Sequence, residues 1–294
     1  MTLGVRANGA AAEEDEEAQE LAAWMQEARR YLLKDVGETL NAALQELERI
    51  DFLWGRIRLS KLTLTPAIKA DIRVEGHLVV FTSLELKLSR PSRNAPVMAS
   101  LQQYCVLNQI LEFHSVMQTQ LSSLQATRDF LSSAQEVLEH GGPSCDVALC
   151  LDVLQKMHVD LVAVCRQLRS ASNVLRLPSR RRFPYSAYVD HSFKPALPPE
   201  VIVDFSIHRG ELLMEAFGLA LTPKPLMEIP DGCCTKKEFV ETVCLCRGQK
   251  VEIVDYASIS VPIPQIEEML THLDEQLLWL VRTRDNIKAL LDCH

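Results

Sequence analysis

The chain of 294 residues is 47% hydrophobic and 24% charged, which is typical of a globular protein with about two domains. Its formal net charge of −8 repels polyanions, so we predict no nucleic-acid partner. No run of about 18 apolar residues and no leader-like segment is found, which predicts a cytoplasmic protein without a membrane-spanning segment.

The first predicted elements are a tail and a long helix. Residues 1–14 are rich in Gly, Ala and Glu and predict a disordered acidic tail. Apolar residues then recur in steps of three and four from Leu21 to Ile50. This is the spacing of a helix that buries one side, so we predict a helix over 15–52.

The period changes to two over residues 56–88, which predicts about three strands. Pro66 and the Glu75-Gly76 pair separate these strands, because proline interrupts a strand and glycine supplies the positive φ of a tight turn. Two further hairpins are predicted later in the chain, where Arg209-Gly210 and Arg247-Gly248 divide alternating segments.

Three more helices are predicted from apolar residues that recur every seven positions. The first two lie within 97–140 and 146–177 and are separated by the segment HGGPS, since glycine and proline end helices. The third follows Pro264. The members of the three series are Ile110, Met117, Leu124, Leu131 and Leu138; Val147, Leu154, Leu161, Leu168 and Leu175; and Ile266, Leu273, Leu280 and Ile287.

These elements predict an α+β fold: a discontinuous antiparallel bundle of about four long helices with a separate antiparallel β lobe. An intermolecular coiled coil in a homodimer is the alternative arrangement for the seven-residue series, and the sequence leaves it open. The predicted bundle comprises 15–52, 97–177 and 264–294, the β lobe comprises 53–90 and 183–263, and a basic, proline-rich connector occupies 178–199.

Asp204, Ser206 and His208 alternate along one predicted strand and raise the question of a catalytic triad. The sequence has no G-x-S-x-G turn, and three residues on one straight strand point in parallel. We therefore predict no catalytic residues. His114 and His158 fall in or beside the apolar series and are interpreted as buried, hydrogen-bonded side chains. The triad-like residues are interpreted as the solvent face of a strand whose other face is Val201, Val203, Phe205 and Ile207.

The nine cysteines are predicted to be reduced thiols, because their number is odd and no leader segment is found. Cys233, Cys234, Cys244 and Cys246 could supply four thiolates to zinc, but zinc ribbons usually have C-x-x-C spacing. We therefore predict no metal site and no cofactor. A thiol- or zinc-dependent enzyme that uses Cys244 and Cys246 is the lesser alternative.

A basic segment is the candidate contact site. Arg180, Arg181 and Arg182 lie between Pro178 and Pro184, which keep the segment from joining a helix. Adjacent cations on an acidic protein suit an acidic partner, so we predict that these arginines bind a partner protein. A solvated linker is the alternative interpretation.

The segment FKPALPPEVIVDFSIHRGELL (193–213) resembles the proline-rich block of the Rogdi family of leucine-zipper proteins. In that family the block also precedes an apolar strand and a turn. Segments 68–91, 152–178 and 247–280 resemble, in the same order, the early hairpin, the helix before the block, and the terminal strand and helix. The resemblance implies an α-helical bundle with a β lobe.

The Rogdi family includes the small subunit of the RAVE complex, which helps to assemble the vacuolar-type proton ATPase (V-ATPase). The resemblance therefore implies a non-enzymatic assembly or adaptor subunit. Its implied partners are a rabconnectin-type WD-repeat scaffold subunit and cytosolic-sector subunits of the V-ATPase. Attachment to endosomal, vacuolar or vesicle membranes is implied only through these partners. An adaptor of another complex, of the kinetochore or tethering type, is the alternative.

Overall fold

The structure is a computed structural model that describes residues 5–88, 95–140, 147–179, 192–227 and 239–293. Helix α1 (Val5–Arg30) continues through a π-helical segment (Tyr31–Val36) into helix α2 (Gly37–Trp54). The predicted first helix is confirmed. It begins inside the stretch that was predicted to be a disordered tail, because the Ala and Glu that dominate this stretch are good helix formers.

The first sheet is antiparallel and has the strand order β1-β2-β3-β4-β6, with β5 paired to β3. Gly76, between β2 and β3, has a φ of 60°, which confirms the predicted turn at Glu75-Gly76. Within the described residues the six strands of this sheet are β1 (Arg58–Leu64), β2 (Ile68–Glu75), β3 (Leu78–Leu86), β4 (Val97–Leu101), β5 (Cys105–Val106) and β6 (Phe193–Lys194).

The second sheet is antiparallel and has the order β7-β8-β10-β9. Its four strands in the described residues are β7 (Val201–His208), β8 (Glu211–Leu221), β9 (Val243–Cys246) and β10 (Gln249–Pro262). Both predicted hairpin turns are confirmed, because Arg209, Gly210, Arg247 and Gly248 have positive φ values of 55°, 78°, 50° and 77°. Positive φ at both central residues matches the twist of the two strands that such a turn joins.

The remaining helices are α3 (Asn108–His140), α4 (Val147–Arg176) and α5 (Pro264–Asp292). Residues 97–106 were predicted to be helical and instead form β4 and β5. Val97 and Ala99 are buried while Met98 between them is exposed, and β4 pairs with β3 and β6. The three seven-residue series are confirmed as largely buried, including Leu124, Leu131, Leu154, Leu161, Leu168, Leu273, Leu280 and Ile287.

The α+β class fits, but the predicted arrangement, a discontinuous bundle of four long helices beside one β lobe, was wrong. The described strands form two sheets. The chain also divides into two compact units that do not separate helices from strands. Unit 1 comprises Met1–Ile50, Val116–Ser170 and His272–His294, and unit 2 comprises Asp51–Ser115 and Ala171–Thr271, with both sheets and several helix ends.

Gln109 on α3 shows why apolar stripes could not predict this division. Its Nε2 donates to the carbonyl oxygens of Val174 on α4 (2.7 Å) and Ile207 on β7 (2.8 Å). Its Oε1 accepts from the Ile207 N–H at 2.7 Å. The side chain thus joins two helix ends to a strand inside unit 2. A stripe specifies which side of a helix is buried, but not what covers it.

The connector at 178–199, the finer domain bounds and the homodimer stay predictions.

Unit 1 contains side-chain amides that bond to helix carbonyls. The Gln135 Nε2 donates to the carbonyls of Leu32 and Leu33 in the π-helical segment, at 3.2 and 3.1 Å. A π-turn departs from the usual i to i+4 bonding, so carbonyls in such a turn are open to other donors. On α5, the buried Gln276 donates to the Ala43 carbonyl at 2.8 Å. These bonds fix the first helix against α3 and α5.

Candidate functional site

The predicted contact residues Arg180, Arg181 and Arg182 lie outside the described residues, and so do Cys233 and Cys234. The partner-binding role of the three arginines therefore stays a prediction.

Cys244 and Cys246 lie on β9, and both side chains are buried. Burial and the neighbouring Cys246 raise the pKa of Cys244 to about 11, so this thiol is protonated at neutral pH. A protonated thiol is a poor nucleophile and a poor metal ligand, since both roles need the thiolate. Within the described ranges no three His, Cys, Asp or Glu side chains are grouped so as to hold a metal ion. The two thiols share an apolar cluster with Ile202, Phe217, Leu219, Phe239, Val251 and Ile253.

The interpretation of Asp204, Ser206 and His208 as a solvent face was wrong. Asp204 and Ser206 are buried and His208 is half-buried, because both sides of β7 are covered. Asp204 lies opposite Glu215 of β8, which is also buried. The Tyr256 hydroxyl donates to a Glu215 carboxylate oxygen at 2.8 Å. Burial, and then the Glu215 charge, raise the Tyr256 pKa, so the hydroxyl stays protonated and serves as a hydrogen-bond donor inside unit 2.

The two histidines of the apolar series are half-buried. The His114 Nε2 lies 2.9 Å from an Asp51 carboxylate oxygen, and its ring stacks on Trp54 with a centroid distance of 3.9 Å. The interpretation of His114 as a hydrogen-bonded side chain is confirmed, although part of it faces solvent. Stacking on Trp54 accounts for the position of His114 beside the apolar series of α3.

A groove of about 370 Å³, lined by both charged and apolar residues, lies beside the β7–β8 turn in unit 2. Arg176 from the end of α4, Arg209 and Glu211 from the turn, and Glu267 and Thr271 from α5 line it. The groove thus carries two guanidinium groups and two carboxylates from three separate segments. Arginine and carboxylate groups form charge-assisted hydrogen bonds, which are often paired.

The β7–β8 turn that forms one wall of the groove is fixed by the end of α4. The Arg209 N–H donates to the Arg176 carbonyl at 3.1 Å, and the Gly210 N–H donates to the Leu175 carbonyl at 3.0 Å. The last carbonyls of a helix have no partner within the helix, and the turn satisfies two of them. Helix α5 packs so closely on Gly210 that an added Cβ would lie 3.3 Å from the Leu270 Cδ1. The hairpin therefore caps one helix and supports another.

Sequence reasoning found the turn at Arg209-Gly210 but missed the groove. The lining residues differ in their exposure: Arg209 and Glu267 are exposed, whereas Arg176 and Glu211 are half-buried. Glu211 is also hydrogen-bonded to the Ser260 hydroxyl. No local pattern connects these residues, because their proximity depends on how the turn, α4 and α5 pack. The single available signal was the left-handed turn itself.

The described elements define an α+β protein with two antiparallel sheets. A family model described as Rogdi leucine zipper containing protein matches residues 22–244. Since this match extends over most of the chain, the chain belongs to the Rogdi leucine-zipper family, as the resemblance of its 193–213 block indicated. A comparison with curated proteins gave no match. None of the helices in the described part of the chain is long and apolar enough to cross a membrane.

Proposed function

We propose that this chain is a non-enzymatic adaptor subunit that promotes assembly of the V-ATPase. The observation that carries the proposal is the family match over residues 22–244, which includes the helix before the proline-rich block and both sheets up to β9. The burial and protonation of Cys244 argue against the thiol-dependent alternative.

The proposed partners are a rabconnectin-type WD-repeat scaffold subunit, which holds the chain, and cytosolic-sector subunits of the V-ATPase, which it helps to rejoin to the membrane sector. The groove beside the β7–β8 turn offers charged groups of both signs for such contacts. Arg180, Arg181 and Arg182 follow Arg176 of the groove by only a few residues in sequence. We propose the basic segment and the groove as two contact sites for these partners. The chain then works in the cytoplasm and reaches endosomal, vacuolar or vesicle membranes through its partners.

Purification of the tagged full chain from cells, followed by mass spectrometry, tests the proposal. Recovery of the WD-repeat scaffold and of cytosolic-sector ATPase subunits is the expected result. Recovery of kinetochore or tethering components without ATPase subunits would instead support the other adaptor class.

A charge-reversal variant locates the contact within the same experiment. Changing Arg180, Arg181 and Arg182 to Glu is expected to lower partner recovery and its sensitivity to salt, because charge pairs steer association and are screened by ions. The matched control reverses three exposed cations elsewhere, Arg166, Arg169 and Lys288. Equal recovery in both variants would remove the basic segment from the proposal and leave the partners in place.

A further inference from the structure

Strand β1 is an edge of the first sheet in the described part of the chain. It pairs with β2 on one side, and no other strand of the described residues pairs with its other side. All of its residues are exposed or half-buried. Leu62 and Leu64 are 64% and 74% exposed and, two positions apart, lie on the same face of the strand, where they form a small apolar patch. An exposed edge with apolar side chains is a template for pairing with another chain.

The β1–β2 register shows which backbone groups face outward. At one end of the pair the Gly76 N–H donates to the Ile57 carbonyl at 2.9 Å. At the other end the Thr65 N–H donates to the Ile68 carbonyl at 2.7 Å. Bonded and non-bonded positions alternate in an antiparallel pair, and the pairing between these ends has no register shift. The backbone N–H and C=O groups at the outer edge therefore belong to Arg58, Ser60, Leu62 and Leu64.

The side chains of β1 define which partner fits this edge. The strand carries Arg58 and Lys61, both exposed, and no acidic residue. Pairing β1 with β1 of a second copy would bring cations close to cations, and like charges on paired strands are destabilising. Lysine on an edge strand is a common device against such self-pairing. An acidic segment gains ion pairs at the same positions.

We propose that β1 binds an extended, acidic segment of a partner protein, which adds to the sheet as a further strand. Main-chain hydrogen bonds to the four outward positions give affinity, and the alternate side chains give specificity. Glu or Asp side chains pair with Arg58 and Lys61, and apolar side chains cover Leu62 and Leu64. This inference rests on the proposed adaptor function, because it gives the chain a second contact surface for partners.

The test uses the full chain and a synthetic peptide as long as β1, with Glu at the positions beside Arg58 and Lys61 and with Leu or Val at the positions beside Leu62 and Leu64. A twin peptide carries Lys in place of Glu. Binding is measured by fluorescence anisotropy, and amide hydrogen exchange locates the bound peptide. We expect the acidic peptide to bind and to protect the amides of Ser60 and Leu62, and the twin peptide to bind at least about tenfold more weakly because it meets Arg58 and Lys61 with like charge.

Two variants at one position separate edge pairing from other effects. Ser60→Pro removes an outward N–H while leaving the β1–β2 bonds intact, and edge strands tolerate proline at such positions. It should weaken binding of the acidic peptide by at least about tenfold, the factor that about 1.4 kcal/mol gives. Ser60→Ala keeps the N–H and should bind as the wild type does. If Ser60→Pro fails to fold, Lys61→Glu serves instead and should remove the preference for the acidic peptide, because β1 then carries one cation and one anion.

Three results would overturn the inference. Failure of the acidic peptide to bind, or binding that neither Ser60→Pro nor Lys61→Glu alters, would show that the edge is not the site. Self-association of the wild type in sedimentation, lost in Ser60→Pro, would make a second copy the occupant. A result that refutes peptide binding at β1 can be distinguished from a result that refutes the adaptor function. In the first case the wild-type chain still recovers ATPase subunits from cells, and in the second case it binds the peptide without recovering them.

Discussion

Strands β1 and β7 are both edges of sheets in unit 2, yet they differ in every property that matters for contact. Seven of the eight residues of β7 are buried, and its edge is covered where the Gln109 amide bonds to both the N–H and the carbonyl of Ile207. All residues of β1 keep some exposure, and two leucines are largely exposed. An edge is closed or open because of what packs beside it, and its own sequence does not determine this. Of these two edges, β1 is the one that the described residues leave uncovered.

The largest expected effect compares one apolar side chain on each strand. Phe205→Ala on β7 should lower the free energy of unfolding by about 3–5 kcal/mol, because it leaves a cavity in a covered region. Leu62→Ala on β1 should change it by no more than about 0.5 kcal/mol, because that side chain already faces water. Urea denaturation of both variants measures the difference. Similar losses would mean that β1 is packed as β7 is.

Removing the cover of β7 should have the next largest effect. Gln109→Ala leaves two carbonyls and one N–H near β7 without their partner, and we expect a loss of about 2–3 kcal/mol. Gln155→Ala is the control, since Gln155 is exposed on α4. Thermal unfolding followed by circular dichroism gives both values. A Gln109 variant as stable as its control would show that this amide is not what closes the edge.

The turn after β7 allows a matched pair of glycine variants. Gly210→Ala should cost about 1–2 kcal/mol, because alanine disfavours a positive φ and the new methyl group meets Leu270. Gly248→Ala has nearly the same φ but no atom within 4 Å of the added Cβ, so it should cost less. The difference between the two midpoints in urea reports the contact with α5. If both variants lose the same amount, helix α5 does not press on the turn.

The smallest effect concerns β9, the other edge of the second sheet, where exposed Leu245 lies between buried Cys244 and Cys246. The pKa of Cys244 is raised to about 11, above its value in the unfolded chain. Its protonated thiol therefore favours the folded state fully at neutral pH, and this contribution is lost as the pH rises from about 9 through about 11. Wild type should lose stability over that range more steeply than Cys244→Ala. Parallel curves for the two proteins would mean that the thiol titrates normally.

The elements that depend on local chemistry were predictable from the sequence. Glycine at 76, 210 and 248 located three turns, because positive φ is a local requirement. The seven-residue series located the buried sides of α3, α4 and α5, because helical periodicity is also local. Strand β6 was not predictable, because it has only two residues and pairs with a distant part of the chain. Its Lys194 lies opposite Ser100 of β4, which is 94 positions earlier in the sequence.

The functional surfaces were less predictable than the fold. The alternation of Asp204, Ser206 and His208 suggested a solvent face, but the burial of a strand depends on distant segments such as the start of α3. The groove residues Arg176, Arg209 and Glu267 come together only through packing. The family resemblance of 193–213 was visible because a proline-rich block is a continuous stretch of sequence. Partner surfaces are discontinuous, which is why the sequence identified the family before it could identify a site.

Amide hydrogen exchange of β1 and β7, measured on the free chain and again with the acidic peptide, tests the central claim most directly. An open edge predicts fast exchange at Ser60 and Leu62 in the free chain and slow exchange at Ile207, whose N–H is bonded to Gln109. The peptide should then slow Ser60 and Leu62 and leave Ile207 unchanged. Slow exchange at Ser60 and Leu62 in the free chain, or no slowing with the peptide, would contradict the account.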